Sequence, residues 1–234
     1  MVQIQFTPFP ELATARFRLR QLMKDDENEI FALRSDDFIN QYLDRPKANT
    51  LDDARNFISK ITNGIAKNEA IYWVVTPRDE PRFLGTICLW KISREEAKAE
   101  IGFELLPENH GKGIMQEVIP EVIRFAREEM RLHAIEAELS PRNVKSLKLL
   151  EKNGFTIKTE FNNGYPNSVS MLWRIPAGKR TRSYFFNLLR LPRLTPTTAE
   201  TRLRRVSLII VCFLSSLLCW DVHLKNAHSH LRLL

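Results

Sequence analysis

The stretch Glu104-Leu105-Leu106-Pro107-Glu108-Asn109-His110-Gly111-Lys112-Gly113-Ile114-Met115-Gln116-Glu117 constrains this chain more than any other. An apolar run stops at a proline, a short loop with two glycines follows, and an amphipathic pattern begins. Upstream, Ile101, Phe103 and Leu105 alternate with Glu100, Gly102 and Glu104. That period of two marks a half-buried strand. Downstream, Val118, Ile119, Val122, Ile123, Ala126 and Met130 form a helical stripe. Glycines between a strand end and a helix N-terminus expose backbone N–H groups, and the helix dipole behind them favours an anion. The segment therefore predicts a phosphate-binding loop, with Lys112 adding a mobile positive charge. Pro120 predicts a kink or a late start to the helix.

Farther along, Ala134-Ile135-Glu136-Ala137-Glu138-Leu139 alternates as a strand. Ser140-Pro141-Arg142-Asn143 then opens a second helix, Val144 to Lys152, and Asn153-Gly154 closes it in the manner of a left-handed cap. Before the loop, the pattern predicts a strand over 14–22, helices over 25–34 and 51–68, and strands over 70–76, 82–92 and 98–106. After it come a helix over 113–131, a strand over 133–139, a helix over 143–153, and strands over 155–161 and 168–175. Asn163-Gly164 is the turn signal between the last two. Strands and helices mixed in this order imply an α/β fold, a central mixed sheet with helices on both faces.

This combination resembles the GNAT superfamily of N-acetyltransferases, over about Ala13 to Ile175. That family's pyrophosphate loop reads Gln/Arg-x-x-Gly-x-Gly/Ala. The matching positions are His110, Gly113 and Met115, so His110 replaces the usual Gln or Arg and Met115 the usual small residue. Asn143-x-x-Ser146-x-x-Leu149-Leu150-Glu151-Lys152-Asn153-Gly154-Phe155 is similar to the family's Asn-x-x-Ser/Ala…Glu-Lys-x-Gly-Phe helix. With Ala99-Glu100-Ile101-Gly102-Phe103 and Gly111-Lys112-Gly113-Ile114-Met115, these motifs resemble the branch containing the ribosomal-protein N-terminal (alanine and serine) acetyltransferases.

The resemblance implies acetyl-CoA as co-substrate. In the resembled fold the fourth and fifth strands splay apart, and the pantetheine arm of acetyl-CoA enters the gap. Phe103, Leu105 and Leu106 lie on the matching strand. His110, Gly111, Lys112, Gly113, Ile114 and Met115 would hold the pyrophosphate, and Asn143 would touch the pantetheine. Arg142, Lys145 and Lys148 are candidates for the CoA phosphates or are ordinary solvated helix cations.

Acetyl transfer to an amine requires that the amine lose a proton and that the departing thiolate gain or be offered one. Glu104, beside the loop, is the candidate base, directly or through water; otherwise it is a solvated strand glutamate. A glutamate's ordinary pKa of about 4.3 is low for that task, and burial would raise it. Glu100 shares the face and is the second choice. Many GNAT members carry a tyrosine four residues after the Ser146 position as general acid. Leu150 stands there and cannot donate a proton. Ser146 is the candidate group at the sulfur, or else a small residue allowing close packing. Asn143 also reads simply as an N-cap.

Composition bounds the rest. Residues 1–175 carry 25 Lys/Arg against 26 Asp/Glu, and residues 176–234 carry 10 against 2. The basicity belongs to the tail, so no nucleic-acid partner is expected for the core. Three cysteines with no Cys-x-x-Cys or Cys/His ligand spacing imply neither a disulfide framework nor a metal site, and Cys88 reads as a small buried hydrophobe. Lys112 does not make a nucleotide P-loop, because Gly-x-x-x-x-Gly-Lys-Ser/Thr is missing. No basic-then-apolar leader opens the chain, so the core is read as cytoplasmic.

The organisation expected is an acetyltransferase domain over 1–175 and a basic extension over 176–234. Within the extension, Val206–Trp220 is an uncharged 15-residue run preceded by Arg202, Arg204 and Arg205. It is short of the ~20 residues that span a bilayer. Membrane contact through 202–224, a docking helix and an unselected appendage all stand as readings. The function expected is direct acetyl transfer from CoA to a primary amine, a protein N-terminus or a small molecule. The alternative is a non-catalytic acyl-CoA-binding module, tethered by its tail. Acceptor choice is expected in 37–49 and 161–167.

Overall fold

The computed structural model describes residues 2–43, 45–158 and 168–175. The Asn163-Gly164 turn, the 161–167 acceptor segment and the whole basic extension lie outside the described residues.

The elements run β1 (Leu12–Ala13), β2 (Phe17–Gln21), α1 (Glu27–Ser35), α2 (Asp37–Asn40), α3 (Leu51–Ala66), β3 (Ile71–Pro77), β4 (Gly85–Ser93), β5 (Lys98–Leu105), α4 (Ile114–Glu128), β6 (Ala134–Leu139), α5 (Val144–Lys152), β7 (Thr156–Ile157) and β8 (Val169–Arg174). The strands form one sheet in the order β1-β2-β3-β4-β5-β6-β8-β7. Every neighbouring pair is antiparallel except β5–β6, which is parallel.

Four readings are corrected. The strand expected over 14–22 is the shorter β2, and an unexpected two-residue strand, β1, precedes it and pairs with it. The strand expected over 155–161 is described only as Thr156–Ile157. The 37–49 segment holds a helical turn, α2, because Asp36 caps it by accepting from the Ile39 N–H at 2.8 Å. Finally, α4 does not start late: it begins at Ile114 and runs through Pro120. Pro120 is exposed, so the Gln116 carbonyl it leaves without a helical donor lies on the solvent side.

The two faces of the sheet differ in character. Trp73, Ile87 and Phe103 share one face through the strand register. It packs on α4, with Trp73 edge-on to Phe125 at 5.4 Å and Val118, Ile119 and Val122 fully buried. Tyr72, Thr86, Cys88 and Glu104 lie on the other face, under α1 to α3, where Phe57 of α3 meets Tyr72 edge-on at 5.8 Å. Burial there pushes the Cys88 thiol up to about 12, with the Glu104 charge adding to the effect.

The register also positions the site. β5 pairs with β6 only from Lys98↔Ala134 to Glu100↔Glu136. Beyond Glu100 the strands part: β5 stays on β4 as far as Gly85↔Leu105, and β6 stays on β8 as far as Leu139↔Val169. The edge of β5 from Ile101 to Leu105 is thereby open toward β6. Among the described residues, no helix is long and apolar enough to cross a membrane.

Candidate active site

The loop after β5 is shaped by backbone requirements. A 3₁₀ turn over Pro107–Asn109 follows the strand, and Asn109, 2% exposed, anchors it by donating Nδ2–H to the Leu84 carbonyl at 3.0 Å. Gly111 and Gly113 then take φ of +75° and +72°, a region that glycine enters without steric cost. A Cβ at Gly111 would meet nothing within 4 Å, so space is open there and conformation is the reason for the glycine. Gly113 is the N-cap of α4, and no side chain caps that end. The first N–H groups of a helix have no intrahelical acceptor, so they are left for a ligand.

The back of the loop is braced. Arg16 donates from its two terminal nitrogens to the Lys112 and Gly113 carbonyls, both at 3.4 Å, and from Nε to Glu117 Oε2 at 2.6 Å. Glu117 Oε1 accepts from the Thr14 hydroxyl at 2.7 Å and the Arg16 N–H at 2.9 Å. With the carbonyls turned to Arg16, the loop amides are free to face the other way.

A cavity of about 610 Å³ opens between β5, the loop, α5 and α2. It gathers Phe103, Glu104 and Leu105 from β5, then His110, Gly111, Gly113, Ile114 and Met115 from the loop and α4. Asn143 and Ser146 join from α5, with Lys145, Lys148 and Lys152 at the same wall. Leu106 and Lys112 do not line it. The Leu106 N–H donates to the Leu84 carbonyl at 3.0 Å, and the Lys112 carbonyl faces Arg16. His110 is a tie across the strand end: its Nε2–H donates to the Leu105 carbonyl at 2.9 Å, and its ring lies 5.8 Å from that of Phe38.

Asn143 does act as an N-cap, its Oδ1 accepting from the Ser146 N–H at 3.1 Å. Leu150 is 1% exposed and belongs to the core. Glu100 is buried and accepts from Lys91 at 2.9 Å; burial raises its pKa while Lys91 opposes the rise. It does not reach the cavity.

Glu104 is not a lone carboxylate. Arg45 donates to both of its oxygens, each at 2.7 Å, with the two side chains about one-fifth exposed. Arg45 Nε donates in turn to Asn40 Oδ1 at 2.9 Å. Asn40 is buried and fixed by donating Nδ2 to the Leu33 and Asp36 carbonyls. The sequence reading named the 37–49 segment but not the roles of Arg45 and Asn40 within it, nor the wall made by Phe38 of α2 with Tyr42 and Leu43 just after it. The Asp36 cap ahead of Phe38-Ile39 was the available signal for α2. Nothing local points Arg45 at a residue on β5.

The comparisons with known proteins bear on family and fold. Residues 16–156 match the acetyltransferase (GNAT) domain, and the chain belongs to that family. It is an acyltransferase of the N-acetyltransferase kind. It is 31% identical over 147 residues to the uncharacterized N-acetyltransferase YoaA of Bacillus subtilis, covering 63% of this chain and 83% of that protein. Two solved structures share its fold. Spermidine N-acetyltransferase from Vibrio cholerae, in complex with CoA and spermine, gives a TM-score of 0.60 at 24% identity over 68% of this chain and 95% of that one. RimL, a ribosomal-protein alpha-N acetyltransferase in complex with coenzyme A, gives 0.62 at 18% over 71% and 98%. At these identities the likeness is one of fold.

Proposed function

We propose that this protein moves an acetyl group from acetyl-CoA directly to a primary amine, and that the amine is a protein N-terminus. The observation that carries the reading is one cavity joining the uncapped glycine loop, the open edge of β5, and the side chains of Glu104 and Ser146. The amides of Gly111 to Met115 suit a pyrophosphate, because both glycines are turned to expose backbone and no side chain occupies the helix end. The edge at Phe103 and Leu105 suits the amide-bearing pantetheine arm, with Asn143 beside it. The lysines of α5 suit the outer phosphates.

In the transfer, the amine nitrogen attacks the thioester carbonyl carbon, the C–N bond forms and the C–S bond breaks. The nitrogen gives up a proton, which Glu104 accepts directly or through water. The CoA sulfur gains one, offered by Ser146 or by solvent. The products are an N-acetylated amine and CoA thiol. The Asn143-x-x-Ser146 helix, in its resemblance to that of the ribosomal-protein N-terminal acetyltransferases, supports the choice of a protein N-terminus over other amines.

The test is CoA release from the full chain with a panel of N-terminal peptides and small amines. Release with peptides is the expected result. Binding of acetyl-CoA without release by any amine ends the reading. Gly113→Asp, which sets a carboxylate against the pyrophosphate, is expected to weaken acetyl-CoA binding at least ~10-fold by calorimetry with folding intact.

A further inference from the structure

We infer that Asn40 and Arg45 are positioning residues for the transfer: together they form a strut from the end of α1 that holds the Glu104 carboxylate in one orientation at the cavity wall. This rests on the reading of Glu104 as the base and adds how the fold aims it.

The strut can be followed bond by bond. α1 ends at Ser35, and the last carbonyls of a helix have no intrahelical donor. Two of them are taken by the segment that follows. Asn40 Nδ2 donates to the Leu33 carbonyl at 3.1 Å, and the Ala48 N–H donates to the Arg34 carbonyl at 3.0 Å. Asn40 Nδ2 also donates to the Asp36 carbonyl at 2.7 Å. A carbonyl can only accept, so these two bonds fix which end of the Asn40 amide is nitrogen and turn Oδ1 the other way. That oxygen accepts from Arg45 Nε at 2.9 Å. The remaining two nitrogens of Arg45 then meet the two oxygens of Glu104, each at 2.7 Å. Arg45 is thus pinned to α1 through Asn40 before it and Ala48 after it, and all three of its nitrogens are engaged.

The placement of this chain separates aiming from contact. Glu104 lines the cavity, whereas Asn40 and Arg45 do not. Among the described residues, both hydrogen bonds to the carboxylate come from Arg45. At Glu104 the strand β5 is paired on the β4 side and open on the β6 side. A glutamate turning freely about its side-chain bonds would spend little of its time aimed at an incoming amine, and a base acts only within hydrogen-bond reach of the proton. A two-pronged bond fixes the carboxylate plane, which a single donor does not. Phe38, Tyr42 and Leu43, which line the cavity, belong to the same segment as Asn40 and Arg45, so this wall and the holder of the base are carried together.

The experiment is a double-mutant cycle on the full chain, read as kcat and KM from CoA release with a serine-initiated peptide, or with spermidine where the peptide gives none. Arg45→Gln is expected to lower kcat about tenfold, with KM for acetyl-CoA within about twofold of wild type. Arg45→Lys keeps one donor without the fork and is expected to lose about threefold, and it carries the same cycle should the glutamine variant not fold. Asn40→Ala leaves the fork but unties it from α1, and a loss of about threefold is expected in protein that still melts cooperatively. In a Glu104→Gln background, Arg45→Gln is expected to cost less than about twofold, because no base is left to aim. A tie that only held the fold together would cost the same in both backgrounds. Equal losses in the two backgrounds, or a folded Arg45→Gln with wild-type kcat, therefore overturn the strut and leave Glu104 as the base. Wild-type kcat in Glu104→Gln overturns the base and the strut together, with CoA release still showing acetyl transfer. Acetyl-CoA binding with no release by either amine overturns the transfer itself and the strut with it.

Discussion

A carboxylate gripped by a guanidinium fork gives one lone pair on each oxygen to the fork and keeps the others open. Glu104 is in that state, so it can still take a proton from the cavity side while its position is fixed. Glu104→Gln keeps the size and removes the acceptor. We expect kcat near pH 7 to fall ~10²–10⁴-fold with acetyl-CoA affinity unchanged, and to recover as pH passes the pKa of the acceptor amine. A flat pH–rate comparison between wild type and variant would place the base elsewhere. Ser146→Ala is expected to cost less than ~10-fold, because water also supplies a proton to the thiolate. Cys88 offers a check on the same face of the sheet. With its thiol pushed up to about 12 by burial, roughly one molecule in ten thousand is thiolate near pH 8, so iodoacetamide is expected to spare it until the protein is denatured. Peptide mass mapping before and after denaturation reads this out. At this scale the sequence was half legible. The alternation of Ile101, Phe103 and Leu105 put Glu104 on the polar side of a strand, but its partner lies 59 residues away and leaves no local trace.

The elements were more legible, since the 2.0 and 3.6 periods follow from burying one face of a strand or helix. All the long ones appear within a few residues of their expected bounds. The misses have physical causes. α2 is only four residues, too short to show a period, and exists because Asp36 caps it. α4 tolerates Pro120 because the stripe of Val118, Ile119, Val122 and Ile123 is buried while Gln116 and Pro120 both lie on the exposed side of the helix. The splay of β5 from β6 was expected from resemblance alone; no residue pattern announces where two strands part. Gly85 marks the crossing of β4 with the end of β5: a Cβ there would lie 2.2 Å from the Glu104 carbonyl oxygen and 2.8 Å from Leu105 Cα. These are backbone atoms and cannot swing aside. Gly85→Ala is therefore expected to cost ~3 kcal/mol or more, seen as a lowered melting temperature, and to loosen the strand that carries Glu104. A variant that melts like wild type would mean that β4 and β5 shift apart cheaply.

For the whole molecule, the question is whether residues 1–175 are sufficient. Every strand of the sheet and every described residue lining the cavity lies within them, and their charges nearly cancel, 25 Lys/Arg against 26 Asp/Glu. The extension differs in kind: it carries 10 Lys/Arg against 2 Asp/Glu and an uncharged run at 206–220 behind Arg202, Arg204 and Arg205. Composition alone separates the two, whereas the role of the second has no period or motif to read. Truncation after Ala177 is expected to leave a folded domain that binds acetyl-CoA with the affinity of the full chain, measured by calorimetry alongside circular dichroism. The full chain is expected to sediment with vesicles containing anionic lipid and to be released by salt, because arginines beside a short apolar run favour a negatively charged interface. Aggregation of the truncated protein would mean that the apolar run packs on the domain and completes its core. A full chain that stays in the supernatant with anionic vesicles would remove the membrane from the account and leave the extension to a protein partner.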